Sequence, residues 1–142
     1  MFHAITRSAL CAAMTVVLAL HGAKHSAQAQ EENPPVLGGW PEIAIGEYEL
    51  ALLVQATGNA SSYDPAVPQR VCMKDVFRLH AQVVAGTNFR YQGHGCLLAP
   101  EDTQLGSCNG RQCAYEALQV TIFTQEWSAT TQVINVERIP EP

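Results

Sequence analysis

The chain has 142 residues, 47% of them hydrophobic and 15% charged, with a formal net charge of −5. That length suits one small domain. The acidic balance argues against nucleic acid or an anionic membrane surface as a partner, since basic patches supply the affinity for both.

Residues 1–29 have the layout of a secretory signal. Arg7 supplies a positive start, Ala9 to Leu20 runs apolar except for Thr15, and Ala27-Gln28-Ala29 offers small residues for cleavage. The apolar run is shorter than the roughly 20 residues that span a bilayer. Cleavage after Ala29 leaves residues 30–142 as one secreted domain. It holds six basic residues (Arg70, Lys74, Arg78, Arg90, Arg111 and Arg138) against 13 acidic ones, a net charge of −7. Its first part, residues 30–39, carries "EENPPVLGG", without periodicity and rich in Pro and Gly, and is expected to be an extended arm.

A helix is expected from Pro41 and Glu42, with proline in the first turn and an acid suited to the helix dipole. Ile43, Gly46, Leu50, Leu53, Val54 and Thr57 recur at spacings of three and four and predict its apolar stripe. Gly58 ends it. Asn59 to Gln69 reads as a loop. From Val71 the period changes to two: Val71, Met73, Phe77, Leu79, Ala81 and Val83 alternate with polar residues and predict one long half-buried strand. Ala85-Gly86-Thr87 turns it, and Thr87 to Tyr91 returns. Cys96 to Cys113 is a looser excursion. Leu118, Val120 and Ile122 mark a third strand, "TQEWSA" (Thr124 to Ala129) a turn, and Thr130 to Arg138 a fourth strand.

One helix followed by such strands predicts an α+β fold, a long helix packed across an antiparallel meander. The turns at Gly86 and Trp127 then fall at one end of the sheet, within reach of Leu37-Gly38-Gly39. Leu37, Val83, Val84 and Trp127 would form one apolar ridge there.

Once Cys11 leaves with the signal, Cys72, Cys96, Cys108 and Cys113 remain. An even count in a small secreted domain indicates disulfides, and all three connectivities stay open. No pair has C-x-x-C spacing, and His80 and His94 are the only histidines after residue 29, so no metal or other cofactor is expected. Asn59-Ala60-Ser61 is a glycosylation sequon. Serine, histidine and aspartate occur in no recognisable catalytic arrangement, which argues against an enzyme.

"QVVAG" at Gln82 to Gly86 resembles the Q-x-V-x-G signature of cystatins. "LGG" before the helix, "GEYE" at Gly46 to Glu49 and Trp127 in the second turn extend the resemblance over Val36 to Val136. It implies tight, reversible inhibition of papain-like cysteine proteases, of cathepsin or plant papain type. Leu37, Gly38, Gly39, Gln82, Val83, Val84, Ala85, Gly86, Glu126 and Trp127 would be the protease-binding residues. Glu126 departs from the pattern, standing where the family usually has proline. The resemblance also implies a Cys96–Cys108 bridge, and with it Cys72–Cys113. Asn59 lies roughly where some cystatins place an asparagine that blocks legumain, a role a glycan would prevent. A monomer is expected, with domain swapping to a dimer as the family's variation. The alternative is a cystatin-fold binding module that does not inhibit.

Overall fold

The computed structural model describes residues 38–142. The expected signal, 1–29, and the arm as far as Leu37 lie outside the described residues. One helix, α1 (Glu47–Gly58), crosses a sheet built from β1 (Arg70–Met73), β2 (Arg78–Val84), β3 (Gly86–Leu98), β4 (Gly106–Ser107), β5 (Glu116–Gln125) and β6 (Thr130–Arg138). This is the expected α+β arrangement, with a mostly antiparallel sheet. β1, β3, β5 and β6 are successive neighbours, and β2 pairs with the same strand, β3, that β1 does.

The helix is shorter than its predicted span. Pro41 to Ile43 is drawn into the sheet instead. Ala81 N–H donates to the Pro41 carbonyl (3.1 Å) and Ile43 N–H donates to the Leu79 carbonyl (2.9 Å), so this segment covers the edge of β2. The helix begins after Gly46, whose N–H donates to the Glu49 carboxylate at 3.0 Å, half of a capping box. Its buried face is Leu52, Leu53, Ala56 and Thr57, while Leu50 and Val54, placed in the predicted stripe, face solvent. Starting the helix at Glu47 rather than Pro41 frees its orientation from Ile43, which packs from the edge segment.

The single long strand expected from Val71 is two strands. Lys74 N–H and Asp75 N–H both donate to the His94 carbonyl, a local irregularity that lets Lys74 to Phe77 bulge out between β1 and β2. Gly93 faces this bulge, where a Cβ would strike the Asp75 carbonyl. β3 is correspondingly long, 13 residues, because it must pair with both pieces. The apolar residues of β2, β3 and β5 that face α1 form the core: Leu79, Phe89, Tyr91, Leu118, Val120 and Ile122, closed by Leu53 and Val133. Tyr91 is fully buried. Its hydroxyl donates to the Glu49 carbonyl at 2.9 Å, and burial pushes its pKa up.

The excursion between β3 and β5 is ordered by the short β4, which runs parallel to β1, with Cys72 opposite Gly106 and Met73 opposite Ser107. That register carries Cys108 to Cys72. The disulfides are therefore Cys72–Cys108 and Cys96–Cys113, with Cα separations of 5.1 and 6.3 Å. This corrects the pairing implied by the resemblance, Cys96–Cys108 with Cys72–Cys113. Cys72 and Cys96 are cross-strand neighbours, so the two bridges lie side by side at this end of the sheet. Arg111 holds the loop with a two-pronged pair to Asp102, 2.8 Å on each side.

Candidate functional site

Three pieces of chain meet at the end of the sheet away from the disulfides. The first is Gly38-Gly39. The second is the β2–β3 tip, where Val83 pairs with Thr87 and Val84 with Gly86, leaving Ala85 at the apex. The third is the β5–β6 turn, a single 3-10 turn over Glu126–Ser128, closed by Ala129 in the left-handed region at φ 50°. Thr87 is opposite Thr124, so β3 and β5 deliver both tips to the same edge.

The surface of these tips is apolar and bare. Trp127 is 73% exposed, Val83 54% and Val84 44%. Neither valine turns into the core; as neighbours on one strand they point to opposite faces of the sheet, and both are exposed. A groove of about 470 Å3 runs between the tips, lined by Val83, Val84, Gly86, Phe89, Trp127 and the helix residue Tyr48. Among Gly38–Gly39, Val83–Thr87 and Gln125–Ala129 the single ionisable side chain is Glu126. Nothing there offers a nucleophile with an adjacent base.

Two glycines set the backbone path. Gly38 sits at φ +82° and Gly86 at φ +132°, both in the region L-residues avoid. They differ in surroundings. A Cβ on Gly38 would meet nothing within 4 Å, whereas one on Gly86 would strike the Thr124 carbonyl and come within 2.8 Å of the Phe123 ring. Gly86 is thus required by its neighbour strand as well as by its own conformation.

The pieces are bonded to one another through side chains. Gln82 donates its amide N–H to the Gly38 carbonyl at 2.9 Å, and its own carbonyl accepts from the Asn88 amide at 3.0 Å. Gln125 donates to the Ala85 carbonyl at 2.8 Å. Trp40, just behind the glycine pair, stacks on Arg90 with the guanidinium carbon 3.7 Å from the ring centroid, anchoring the root of the arm to β3.

The structure thus brings together Gly38, Gly39, Gln82, Val83, Val84, Ala85, Gly86, Glu126 and Trp127. Leu37 lies outside the described residues. Asn59 is not part of this end; it caps the C-terminus of α1, exposed, its side-chain oxygen accepting from Ser61 N–H (3.0 Å) and Ser61 Oγ–H (2.7 Å). Trp40, Asn88 and Gln125 were not anticipated from sequence. Their roles depend on cross-strand register and on the path of the arm, neither of which periodicity reports. Trp40 next to the glycine pair was the one available signal.

No family model matches the chain. By sequence it is 33% identical over 100 residues to the Cystatin-like cysteine protease inhibitor EPIC4 of Phytophthora infestans, and to the same protein of its strain T30-4. Each match covers 70% of this chain, and the chain spans 58% of each relative's length. By structure it is similar to a salivary cystatin from the soft tick Ornithodoros moubata, with a TM-score of 0.50, 18% identity, and coverage of 74% of this chain and 100% of the tick protein. At that identity the likeness concerns the fold. Among the described residues no helix is long and apolar enough to cross a membrane.

Proposed function

The chain belongs to the cystatin family, and on that premise we propose that it is a secreted, reversible, tight-binding inhibitor of papain-like cysteine proteases. In this reading residues 1–29 direct export and residues 30–142 are the inhibitor domain. The observation that carries the proposal is the convergence of three exposed segments on one edge of the sheet, presenting Val83, Val84 and Trp127 with no nucleophile and base paired among them.

A plug for a protease cleft must fit without reacting. Val83, Val84 and Ala85 offer small apolar surface, and Trp127 offers an aromatic anchor of the kind that dominates interface energies. Glu126 must shed water to enter, at a cost in affinity unless the cleft provides a cation. Leu37 fills an apolar substrate pocket. Gly38 then turns the arm aside at φ +82°, and its carbonyl is held by Gln82 on the inhibitor's own sheet. A thiolate attacking a peptide carbonyl needs an aligned approach at about 3–3.5 Å. A carbonyl engaged by Gln82 is turned away from such attack, so the arm binds as a substrate would and is not cut.

Titration of papain with the purified protein, followed with a fluorogenic peptide, tests the proposal. Stoichiometric, reversible loss of activity is expected. Turnover of peptide or ester by the protein itself would make it an enzyme, and neither effect would make it a binding module. Removing residues 30–37 should weaken inhibition roughly ten- to a hundredfold, the worth of one buried leucine.

A further inference from the structure

We infer that Gln125 is a positioning residue: it fixes the two hairpin tips relative to one another before any protease is met. This deepens the inhibitory reading and rests on it for its consequence, though not for its geometry.

The inference comes from a repeated pattern. In each of two places a glutamine amide reaches across to the carbonyl of a different chain segment, while its own oxygen is held by a donor on its own hairpin. Gln82 does so between Gly38 and Asn88. Gln125 does so between Ala85 and Ser128. Its Nε2 donates to the Ala85 carbonyl at 2.8 Å, and Ser128 Oγ–H donates to its Oε1 at 2.7 Å. Thr130 Oγ1 lies 2.7 Å from Ser128 Oγ, a contact in which either hydroxyl can donate, and Ser128 Oγ also reaches the Gln125 backbone carbonyl at 3.2 Å. The result is a continuous chain of contacts from Thr130 through Ser128 and Gln125 to the apex of the other hairpin.

The position of those contacts is informative. Ala85 is the apex residue, and the ladder bonds of β2 and β3 do not restrain its carbonyl. The β5–β6 turn carries Glu126 where a ring would fix the backbone. Without another restraint both tips would have to be ordered on binding, which costs affinity. Gln125 supplies that restraint to both at once. All of these groups are solvent-exposed in the free protein, so the bonds are weak individually. Entry into a cleft would shield them from water and strengthen them.

The test uses the full domain and two variants, Gln125→Met, which keeps length and removes the donor, and Ser128→Ala. Backbone 15N relaxation of the free protein reads order at Ala85 and Gly86, and dissociation from papain reads the consequence. In Gln125→Met, order at Ala85 and Gly86 should fall while the melting temperature stays unchanged, and inhibition should weaken roughly two- to tenfold, the worth of one hydrogen bond. Ser128→Ala should give a smaller loss than Gln125→Met, and a smaller one still in the Gln125→Met background, where only its bond to the backbone carbonyl of residue 125 remains to be lost. Unchanged order at Ala85 and Gly86 in Gln125→Met overturns the inference. So does a Ser128→Ala effect that is undiminished in the Gln125→Met background. If the wild-type protein does not inhibit papain, the functional proposal fails on that result alone, and the relaxation data still decide the positioning role of Gln125.

Discussion

The two ends of the sheet are held by opposite means. At the far end, two disulfides join β1 and β3 to the excursion, and Cys72, Cys96 and Cys108 are all buried. At the near end, three tips stand in solvent, joined by the side-chain amides of Gln82 and Gln125. A covalent clasp at the near end would occupy the surface that has to stay bare. Restraints there must come from groups small enough to lie within the tips. Stability is therefore concentrated away from the proposed contact surface, and the near end needs only enough order to keep its shape.

The largest effect that would break this division is loss of the far clasp. Replacing Cys72 and Cys108 together with alanine should destabilise the domain by about 2–5 kcal/mol. The same change at Cys96 and Cys113 should cost about 0.7 kcal/mol less on loop entropy, because that bridge spans 17 residues rather than 36. At a temperature where the variants remain folded, papain inhibition should be close to wild type. Chemical denaturation and inhibition assays on both double variants check this. Strongly weakened inhibition in a folded variant would mean that the two ends are not independent. Peptide mapping under non-reducing conditions checks the connectivity itself.

Next in size is Gly86→Val. The residue would have to adopt φ +132° and displace the Thr124 carbonyl or the Phe123 ring. Backbone strain of about 1–3 kcal/mol is expected, with the first hairpin pushed away from β5. Inhibition should fall roughly ten- to a hundredfold, much more than the midpoint of unfolding would suggest. Gly38→Ala is the sharpening control. It strains its own backbone, but its Cβ meets no neighbour, so its effect should be smaller and confined to the arm.

These cases show what the sequence could tell. The α+β class and the four hairpin strands were legible because alternation from Leu79 to Val83, and again through Leu118, Val120 and Ile122, reports a half-buried sheet directly. The near end was legible through "QVVAG", the glycine pair and Trp127. What failed was register and tertiary competition. Pro41 to Ile43 has helix-start chemistry and yet pairs with β2. The bulge at Lys74 to Phe77 preserves enough alternation to look like one strand. The disulfide pairing depended on β4, two residues long and parallel to β1, which carries no periodic signal at all.

A smaller effect concerns Glu126. Its backbone slot accepts proline: Gln125 before it is extended at φ −144°, ψ 104°, which suits a residue preceding proline, and position 126 opens a helical turn. Glu126→Pro should therefore stiffen the turn by about 0.4–1 kcal/mol. Against papain it should tighten inhibition several-fold, mostly through slower dissociation. The gain should be larger in the Gln125→Met background, where the Gln125 contact is missing. Against a protease with a basic cleft the same change should weaken inhibition and flatten its salt dependence, because the carboxylate then has a partner. Dissociation rates at low and high salt over a panel of such proteases measure both outcomes. No change on any of them would place residue 126 outside the contact.

The smallest effect belongs to the far end and is driven by pH. His94 Nδ1 lies 2.7 Å from the Asp75 carboxylate, and its Nε2 lies 3.4 Å from Glu141. The hydrogen bond to Asp75, aided by both negative charges, holds His94 above the usual imidazole range. Burial pushes Asp75 up, but its hydrogen bonds with His94 outweigh this and hold its carboxyl below the usual range. A raised histidine contributes stability that is complete below its unfolded value of 6.5 and is lost as pH rises through the folded value. A lowered aspartate contributes stability that is complete above 3.8 and is lost as pH falls through its folded value. Both contributions are therefore whole between pH 3.8 and 6.5, and the domain should become slightly less stable as pH rises beyond that window. His94→Gln should remove most of this slope in melting temperature. Since the pair lies beside the disulfides and away from the tips, the affinity for papain, corrected for the enzyme's own titration, should show the same pH profile in both proteins. A change in that profile on losing His94 would mean that the far end communicates with the tips, and the division between the two ends would not hold.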